Sequence, residues 1–249
     1  MTDKSLEAHF IKCLKEGNTK KALYIVELLG DKVNALYGAK SLLVFAKEFE
    51  NKEVARVLEE KGAREIISDE EAKKLGIELV EKAEKGDLDA VIELIEKGAK
   101  VDEKNMWNHT ALIQASAGGH VDIVKALLSR GAKVDEKDSI DYTALIWASE
   151  KMHVEVVKTL IENGAKVDEK NDRGETALIM ASCYGYVEVV KALLDAGADV
   201  TIANNDGITA INCTRNYEIK KMLREALRKQ KEKQNEKTFI NKISGFFGR

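Results

Sequence analysis

A phrase that returns every 33 residues constrains this chain more than any other feature of its sequence. It reads GAKVDEKN from Gly98, GAKVDEKD from Gly131, GAKVDEKN from Gly164 and GADVTIAN from Gly197. The text between the phrases also recurs, as TALIQASAGGHVDIVKALLSR, TALIWASEKMHVEVVKTLIEN and TALIMASCYGYVEVVKALLDA. A fixed period of about 20–50 residues is typical of repeat proteins, in which each unit packs on its neighbours. The sequence therefore predicts a linear array of similar units.

Each copy predicts two helices. Thr110, and Thr143 and Thr176 in the next copies, stand where an N-cap hydroxyl would accept from the first free amides of a helix. A second helix begins near Val121, where apolar residues recur at helical spacing. Gly131 follows it and can take the left-handed conformation that ends a helix. The polar phrase then connects one unit to the next.

These units resemble the ankyrin repeat family, whose members repeat a β-turn, a helix, a turn and a second helix. The resemblance is carried by TALI from Thr110, by GHVDIVKALL from Gly119 and by GAKVD from Gly131. TALI departs from the family's usual Thr-Pro-Leu-His, since Ala replaces Pro and Ile replaces His. The resemblance implies an all-α solenoid with a concave face bordered by β-turn fingers.

Weaker copies extend the array to about seven units. Residues 1–97 are predicted to form divergent N-terminal ankyrin-like repeats, and residues 98–229 to form regular repeats with a C-terminal capping repeat. Residues 230–249 are predicted to form a basic, Phe-rich tail. The last unit is expected to lack the turn between its two helices. Zero prolines and 6% aromatic residues agree with a helical fold.

The cysteines and the N-terminus bear on location. Cys13, Cys183 and Cys213 form no close-set pair, which predicts reduced thiols and a reducing compartment. The first residues, MTDKSLEAHF, lack the features of a secretory signal. No apolar run approaches the ~20 residues that cross a bilayer. A soluble, cytoplasmic and monomeric protein is expected.

No pattern of catalytic or metal-binding residues stands out. His120 and His153 occupy equivalent positions in successive copies, which favours a structural role at the start of the second helix. No His or Cys pair has the spacing of metal ligands, and no phosphate-binding or nucleophile motif occurs. The acidic phrase, such as Asp102-Glu103, is interpreted as a solvated mixed-charge row, with an ion site as the alternative. The prediction is a non-catalytic protein without cofactor or metal.

The positions that differ between otherwise identical copies predict a partner-binding surface. In the family, partners usually bind the fingers and the exposed side of the first helices. Aromatic, Met and Arg side chains are over-represented at binding hot spots. The alternative for Met106 and Trp107 is that they fold over a neighbouring finger, and Trp147 remains open between core and surface. The predicted partner-binding residues are Met106, Trp107, His109, Ile140, Tyr142, Arg173, Tyr184 and Ile208.

The tail suggests a second docking element. From Arg215 onward the chain carries 11 Lys/Arg against 4 Asp/Glu, a net charge of +7, while the rest carries -10. Its apolar residues fall at helical spacing and could dock into a partner groove or onto an anionic membrane, or pack back on the array. These possible docking residues are Phe239, Ile240, Ile243, Phe246 and Phe247.

The predicted function is therefore an adaptor, scaffold or inhibitor that binds a protein partner on its concave finger surface. One alternative is a small-ligand or oligonucleotide receptor with Trp107 and Tyr142 as stacking platforms. The acidic body makes nucleic acid an unfavourable partner. Another alternative is a scaffold tethered to a membrane or an assembly through the tail.

Overall fold

A computed structural model describes residues 3–29, 36–37, 40–60 and 69–247. Beyond residue 236 it describes the backbone alone. Helices dominate the described part of the chain. They are α1 (Asp3–Lys15), α2 (Thr19–Leu29), α3 (Leu42–Glu48), α4 (Lys52–Glu60), α5 (Asp69–Lys85), α6 (Leu88–Glu96), α7 (Ala111–Gly118), α8 (Val121–Ser129), α9 (Ala144–Glu150), α10 (Val154–Glu162), α11 (Ala177–Tyr184), α12 (Val187–Asp195), α13 (Ala210–Cys213) and α14 (Tyr217–Phe247).

Extended structure is confined to short pairings in the described residues. Strand β1 (Leu36–Tyr37) pairs antiparallel with β2 (Lys40–Ser41), so that Leu36 lies opposite Ser41. Two isolated antiparallel bridges join Lys137 to Thr143 and Ala203 to Thr209. In the described residues the helices follow one another in pairs along the chain, which confirms the predicted all-α ankyrin-repeat fold.

The chain divides into two compact units. The first comprises Met1–Gly76 and Glu93–Lys100, and the second comprises Ile77–Ile92 and Val101–Arg249. The predicted boundary at residues 97 and 98 stays a prediction, and α14 runs without a break past residue 229.

The first unit has its own apolar core, in which α1 packs on α2, α3 on α4, and α2 on α4. Its centre is formed by fully buried side chains. At its edge, Lys100 forms an ion pair with Asp69, which also pairs with Lys73. The hydrogen bond from Lys100 holds the pKa of Asp69 below its ordinary value. Prominent core residues are Phe10, Leu14, Val26, Leu42 and Leu58.

The second unit contains two parallel series of helices. The first helices of successive copies pack in the order α7, α9, α11, α13, and the second helices pack in the order α8, α10, α12, α14. Each first helix is short and almost wholly buried, because small and branched apolar residues face helices on both sides. Burying one large apolar side chain stabilises the fold by about 1.5–3 kcal/mol. Contact between neighbouring repeats is therefore the main source of stability.

The predicted helix ends are confirmed. The hydroxyls of Thr110, Thr143 and Thr176 accept from the amide three residues further on, at 3.2–3.3 Å. Gly131 and its equivalent Gly164 have φ of 84° and 85°, in the left-handed region where a glycine has no Cβ penalty. The helix pairs therefore have bounds that are set by local chemistry as well as by packing.

The last unit differs from the regular repeats in the connection between its two helices, where Thr214 has an extended backbone. Helix α13 is only four residues long, and a connection of three residues, 214–216, separates it from α14. The side chain of Asn216 accepts from the amides of Glu218 and Ile219, at 2.9 and 3.2 Å. A capped start to α14 therefore follows directly on the short α13.

The prediction of reduced thiols is wrong for two of the three cysteines. Cys183 in α11 and Cys213 in α13 form a disulfide with a Cα–Cα distance of 5.0 Å. Their 30-residue separation gave no close-set pattern in the sequence, but α11 and α13 are neighbouring helices. Cys13 is free and buried in the first unit.

Candidate functional site

Four fingers of the second unit share one five-residue turn. The first residue is Asn or Asp, and its Oδ1 accepts from the backbone amides two and four positions further on, at 2.8–3.0 Å. The fourth residue is Asn, Asp or Gly with φ between 60° and 76°, as the left-handed region favours. The second and third residues therefore form the tip, and the turn does not depend on their side chains. The first residues are Asn105, Asp138, Asn171 and Asn204.

Backbone hydrogen bonds hold the finger tips in register. The amide of Ser139 donates to the carbonyl of Trp107 at 3.2 Å, and the amide of Asp172 donates to the carbonyl of Ile140 at 3.2 Å. The amide of Asn205 donates to the carbonyl of Arg173 at 2.9 Å. Trp107, Ile140 and Arg173 therefore form one row along neighbouring fingers.

The acidic phrase connects one repeat to the next. Oδ1 of Asp102 accepts from the amide of Lys133 at 2.9 Å, and the same bond recurs one repeat later between Asp135 and Lys166 at 3.0 Å. Asp102 and Asp135 therefore accept hydrogen bonds from the backbone of the next repeat. In the described part of the chain, no three His, Cys, Asp or Glu side chains converge as ligands for a metal ion.

Lysines complete this connection. The Nζ of Lys104 donates to the carbonyl of Lys137 at 2.9 Å and pairs with Glu136 at 2.8 Å. Lys137 pairs in the same way with Glu169 at 2.9 Å. The hydrogen bond from Lys104 lowers the pKa of Glu136, and that from Lys137 lowers the pKa of Glu169, against the opposing effect of partial burial.

Acid is expected to weaken the ion pairs Lys104–Glu136 and Lys137–Glu169. Folding lowers the pKa of both carboxyl groups from their ordinary value of 4.5. Each group therefore stabilises the folded state fully at pH values above 4.5, and this stabilisation is lost as the pH falls through the lowered pKa. The variant Glu136→Gln/Glu169→Gln should lose about 1 kcal/mol at pH 7 and show a smaller further loss below pH 4.5 than the wild type. Urea unfolding at several pH values measures both effects. Glu81→Gln, an exposed control on α5, should unfold like the wild type at every pH, and an equal acid response of all three proteins would contradict the assignment.

The predicted partner-binding residues are exposed, with two exceptions. Met106 is 84% exposed and Trp107 is 56% exposed, so neither folds over a neighbouring finger. Ile140, Arg173 and Ile208 are also exposed at their own fingers. Tyr184 is exposed at the end of α11, where its ring stacks on Tyr186 at 5.6 Å. We define the finger surface as Met106, Trp107, Ile140, Arg173 and Ile208.

Tyr142 is the first exception and requires a correction. It is only 6% exposed, and its ring centroid lies 4.8 Å from that of Trp147. Burial raises its pKa to about 12, so the phenol stays neutral. The ring cannot serve as an exposed contact or a stacking platform. Tyr142 instead supports Trp147, which it contacts.

The second exception is His109, which is half-buried in a polar network around Asp138. Its Nδ1 lies 3.0 Å from the side-chain amide nitrogen of Gln114, and its Nε2 lies 3.5 Å from Asp138 Oδ2. The same Oδ2 accepts from the indole N–H of Trp147 at 2.8 Å. Trp147 is half-buried as a result, with Lys151 Nζ 5.5 Å from its ring. Its position between core and surface was the point that the sequence left open.

Asp138 was missed by the sequence analysis. Its side chain is fully buried, and the three equivalent residues in the other fingers are asparagines. An Asn side chain would present either its NH₂ or its oxygen at the Oδ2 position, and only an acceptor can satisfy the indole N–H. Asp138 and Trp147 occur together in one repeat only. This joint occurrence is the feature of the sequence that could have predicted their contact.

The two repeated histidines have the structural role that was predicted. His120 Nε2 lies 3.2 Å from the carbonyl oxygen of Glu84, and His153 Nε2 lies 3.0 Å from that of Ala117. Each ring therefore bridges to the preceding repeat. A Cβ at Gly119 would lie 2.5 Å from His153 Nδ1, so the ring also requires a glycine opposite it.

A second missed residue, Met152, lies in the turn between α9 and α10. Its φ is 63°, whereas the equivalent residues Gly86, Gly119 and Gly185 are glycines. A left-handed φ is costly for a bulky side chain, and such outliers cluster at functional positions. Met152 is also 56% exposed. The fold alone therefore does not explain a methionine at this position.

Met152→Gly is expected to raise the free energy of unfolding by about 1 kcal/mol, because it removes the left-handed strain. Lys151→Gly is the control in the same turn, since Lys151 has φ of -91° and its side chain contacts Glu150 and the Trp147 ring. Glycine there should lower stability by a few tenths of a kcal/mol or more. Chemical unfolding compares the two. A loss of stability in Met152→Gly would show that the methionine side chain makes stabilising contacts.

The tail residues Phe239, Ile240, Ile243, Phe246 and Phe247 have side chains outside the described part of the chain. The backbone of α14 continues to Phe247. Closer to the array, Gln230 Nε2 donates to the carbonyl of Ala198 at 2.8 Å, which fixes this part of α14 on the preceding repeat. Among the described residues, no helix is both long and apolar enough to cross a membrane.

The two series of packed helices and the register of the fingers define a helical repeat protein whose units are joined by β-turns. A family model described as "Ankyrin repeats (3 copies)" matches residues 79–171 and 135–204. The chain belongs to the ankyrin repeat family. Comparison with curated proteins found no significant match. Ankyrin repeats are generally protein–protein interaction modules and are generally non-catalytic.

Proposed function

We propose that this chain is a non-catalytic adaptor, scaffold or inhibitor that binds a protein partner on its finger surface. The observation that carries this proposal is the exposure of Met106 and Trp107 at a finger tip. The same turn is made with Ser139 and Ile140 in the next finger, so the fold does not need a tryptophan at this position.

The energetics of the tip also support binding. Covering a large aromatic side chain contributes roughly 1.5–3 kcal/mol, and Trp is among the residues most enriched at hot spots. Because the backbone of Trp107 is fixed by its bonds to Asn105 and Ser139, little backbone conformational entropy is lost when a partner covers the ring. Ile140 extends the apolar surface to the next finger, and Arg173 adds a charged group beyond it.

The alternatives are less well supported. A receptor that stacks flat ligands between Trp107 and Tyr142 would need both rings to be accessible, and Tyr142 is buried. The net charge of -10 before Arg215 disfavours a nucleic acid. Tethering through the tail, the monomeric state and the cytoplasmic location stay predictions.

Affinity capture with matched variants tests the proposal. Immobilised wild type, Trp107→Ser/Ile140→Ser and Tyr24→Ser are exposed to the same cell lysate, and retained proteins are compared by mass spectrometry. Tyr24 is an exposed aromatic residue on α2 and controls for the loss of an apolar side chain elsewhere. We expect a partner that is retained by wild type and by Tyr24→Ser and is lost from Trp107→Ser/Ile140→Ser. The Kd of that partner for the finger variant should be weaker than for the wild type by about 30-fold or more. Identical sets of proteins on all three would contradict a finger-surface partner.

A further inference from the structure

The disulfide between Cys183 and Cys213 joins the last regular repeat to the terminal unit. Its Cα–Cα distance of 5.0 Å lies within the usual range for a disulfide of about 4.4–6.8 Å. Cys213 occupies the position that Gln114, Trp147 and Met180 occupy in the earlier first helices. Cys183 lies one helical turn beyond Met180 on α11. The bond therefore links two adjacent first helices.

The terminal unit has fewer local constraints than the units before it. Helix α13 contains four residues, whereas α7, α9 and α11 contain seven or eight. Thr209 makes no side-chain hydrogen bond to the start of α13, although Thr176 caps α11 in this way. A one-turn helix without its cap is marginal by itself. The disulfide supplies a covalent constraint at the point where the repeat chemistry is weakest.

The two sulfurs differ in accessibility. Cys183 is exposed, next to the exposed Tyr184, whereas Cys213 is half-buried and its Sγ lies 3.6 Å from the carbonyl oxygens of Ile179 and Ala210. Thiol–disulfide exchange requires access of a thiolate to one sulfur of the bond. A small thiol can therefore reach Cys183 from solvent, and Cys213 is the sulfur that leaves.

We propose that Cys183–Cys213 is a reversible thiol–disulfide site, through which small thiols of the glutathione class control how firmly the terminal unit is held. A thiolate attacks Cys183 Sγ, the Cys183–Cys213 bond breaks, and Cys213 leaves as a thiolate that takes up a proton. A second thiolate attacks the small-molecule sulfur of the mixed disulfide, which releases Cys183 and the oxidised small disulfide. The protein gains two electrons and two protons, and glutathione disulfide drives the reverse reaction.

The full chain, equilibrated with reduced glutathione or with glutathione disulfide, tests this site by two measurements. Alkylation followed by peptide mass spectrometry reports the state of each cysteine. Hydrogen exchange reports the opening of α13. In glutathione disulfide we expect Cys183 and Cys213 to resist alkylation, and in reduced glutathione we expect both to react. Amides of α13 should exchange about tenfold faster or more after reduction, while those of α7–α10 stay unchanged.

Single cysteine variants separate the effect of the Cys183–Cys213 disulfide from a general effect of the reagents. In Cys213→Ser, and equally in Cys183→Ser, α13 should exchange at the fast rate under both conditions. Failure of glutathione disulfide to close the bond in the wild type would overturn the proposal, as would equal exchange of α13 in the two states. Neither measurement involves a partner, so the result is independent of the proposed function.

Discussion

Replacing Asp138 with alanine is expected to lower the free energy of unfolding by about 3 kcal/mol, because one buried donor and two part-buried donors lose this acceptor at once. The carboxyl group accepts from the amides of Ile140 and Tyr142 and from the indole of Trp147, all at 2.8–2.9 Å. His109 lies against the same oxygen as the indole. The loss should appear as a lower urea midpoint and as faster hydrogen exchange in residues 136–153, since repeat arrays can open in parts.

Two further variants divide this effect between the turn and the indole. Asp138→Asn keeps an oxygen for the finger amides, as in the three sister fingers, but opposes its NH₂ to the Trp147 N–H, and should lose about 1–2 kcal/mol. In a Trp147→Phe background that donor is absent, so Asp138→Asn should cost much less. Additive effects of the two substitutions would contradict a direct Asp138–Trp147 interaction.

Gly119→Ala should lower stability by about 2–3 kcal/mol, through two separate causes. The residue has φ of 75°, which strains any side chain other than hydrogen. Its Cβ would also lie 2.5 Å from His153 Nδ1, and moving that ring breaks the bond between His153 Nε2 and the Ala117 carbonyl. Chemical unfolding of the full chain measures the loss.

Gly185→Ala is the matched control, because it has the same left-handed conformation with φ of 83° and nothing within 4 Å of its Cβ. It should cost only the backbone strain, about 1 kcal/mol. In a His153→Ala background, Gly119→Ala should approach this smaller value. Equal losses for Gly119→Ala and Gly185→Ala in the wild-type background would mean that the histidine does not constrain the glycine.

The repeat period was sufficient to predict most of the fold. Caps such as Thr110 and Gly131 depend on bonds within one or two turns, so a single copy contains the whole signal. Internal comparison also identified Met106 and Trp107, because sister residues at the same position show that the turn does not require them. The helix pairs of the second unit follow from the same local chemistry and from the apolar residues between them.

What the sequence did not predict depends on contacts between positions that a repeat does not relate. Tyr142 is buried because Trp147, five residues later, packs on its ring, whereas its sister Ile208 remains exposed. Cys183 and Cys213 are 30 residues apart, three fewer than the period, so they lie on adjacent helices without being equivalent. The first case depends on an aromatic pair within one repeat that the other repeats lack, and the second depends on the packing of neighbouring helices.

The most direct test of a partner on the finger surface is hydrogen exchange of the whole chain with and without the captured partner. We expect the partner to slow exchange at the finger amides of residues 106–109 and 139–142 by about tenfold or more, and to leave the second helices α8, α10 and α12 unchanged. The Trp107→Ser/Ile140→Ser variant at the same partner concentration should show no such protection. Protection confined to α8, α10 and α12, with the fingers unchanged, would contradict the account.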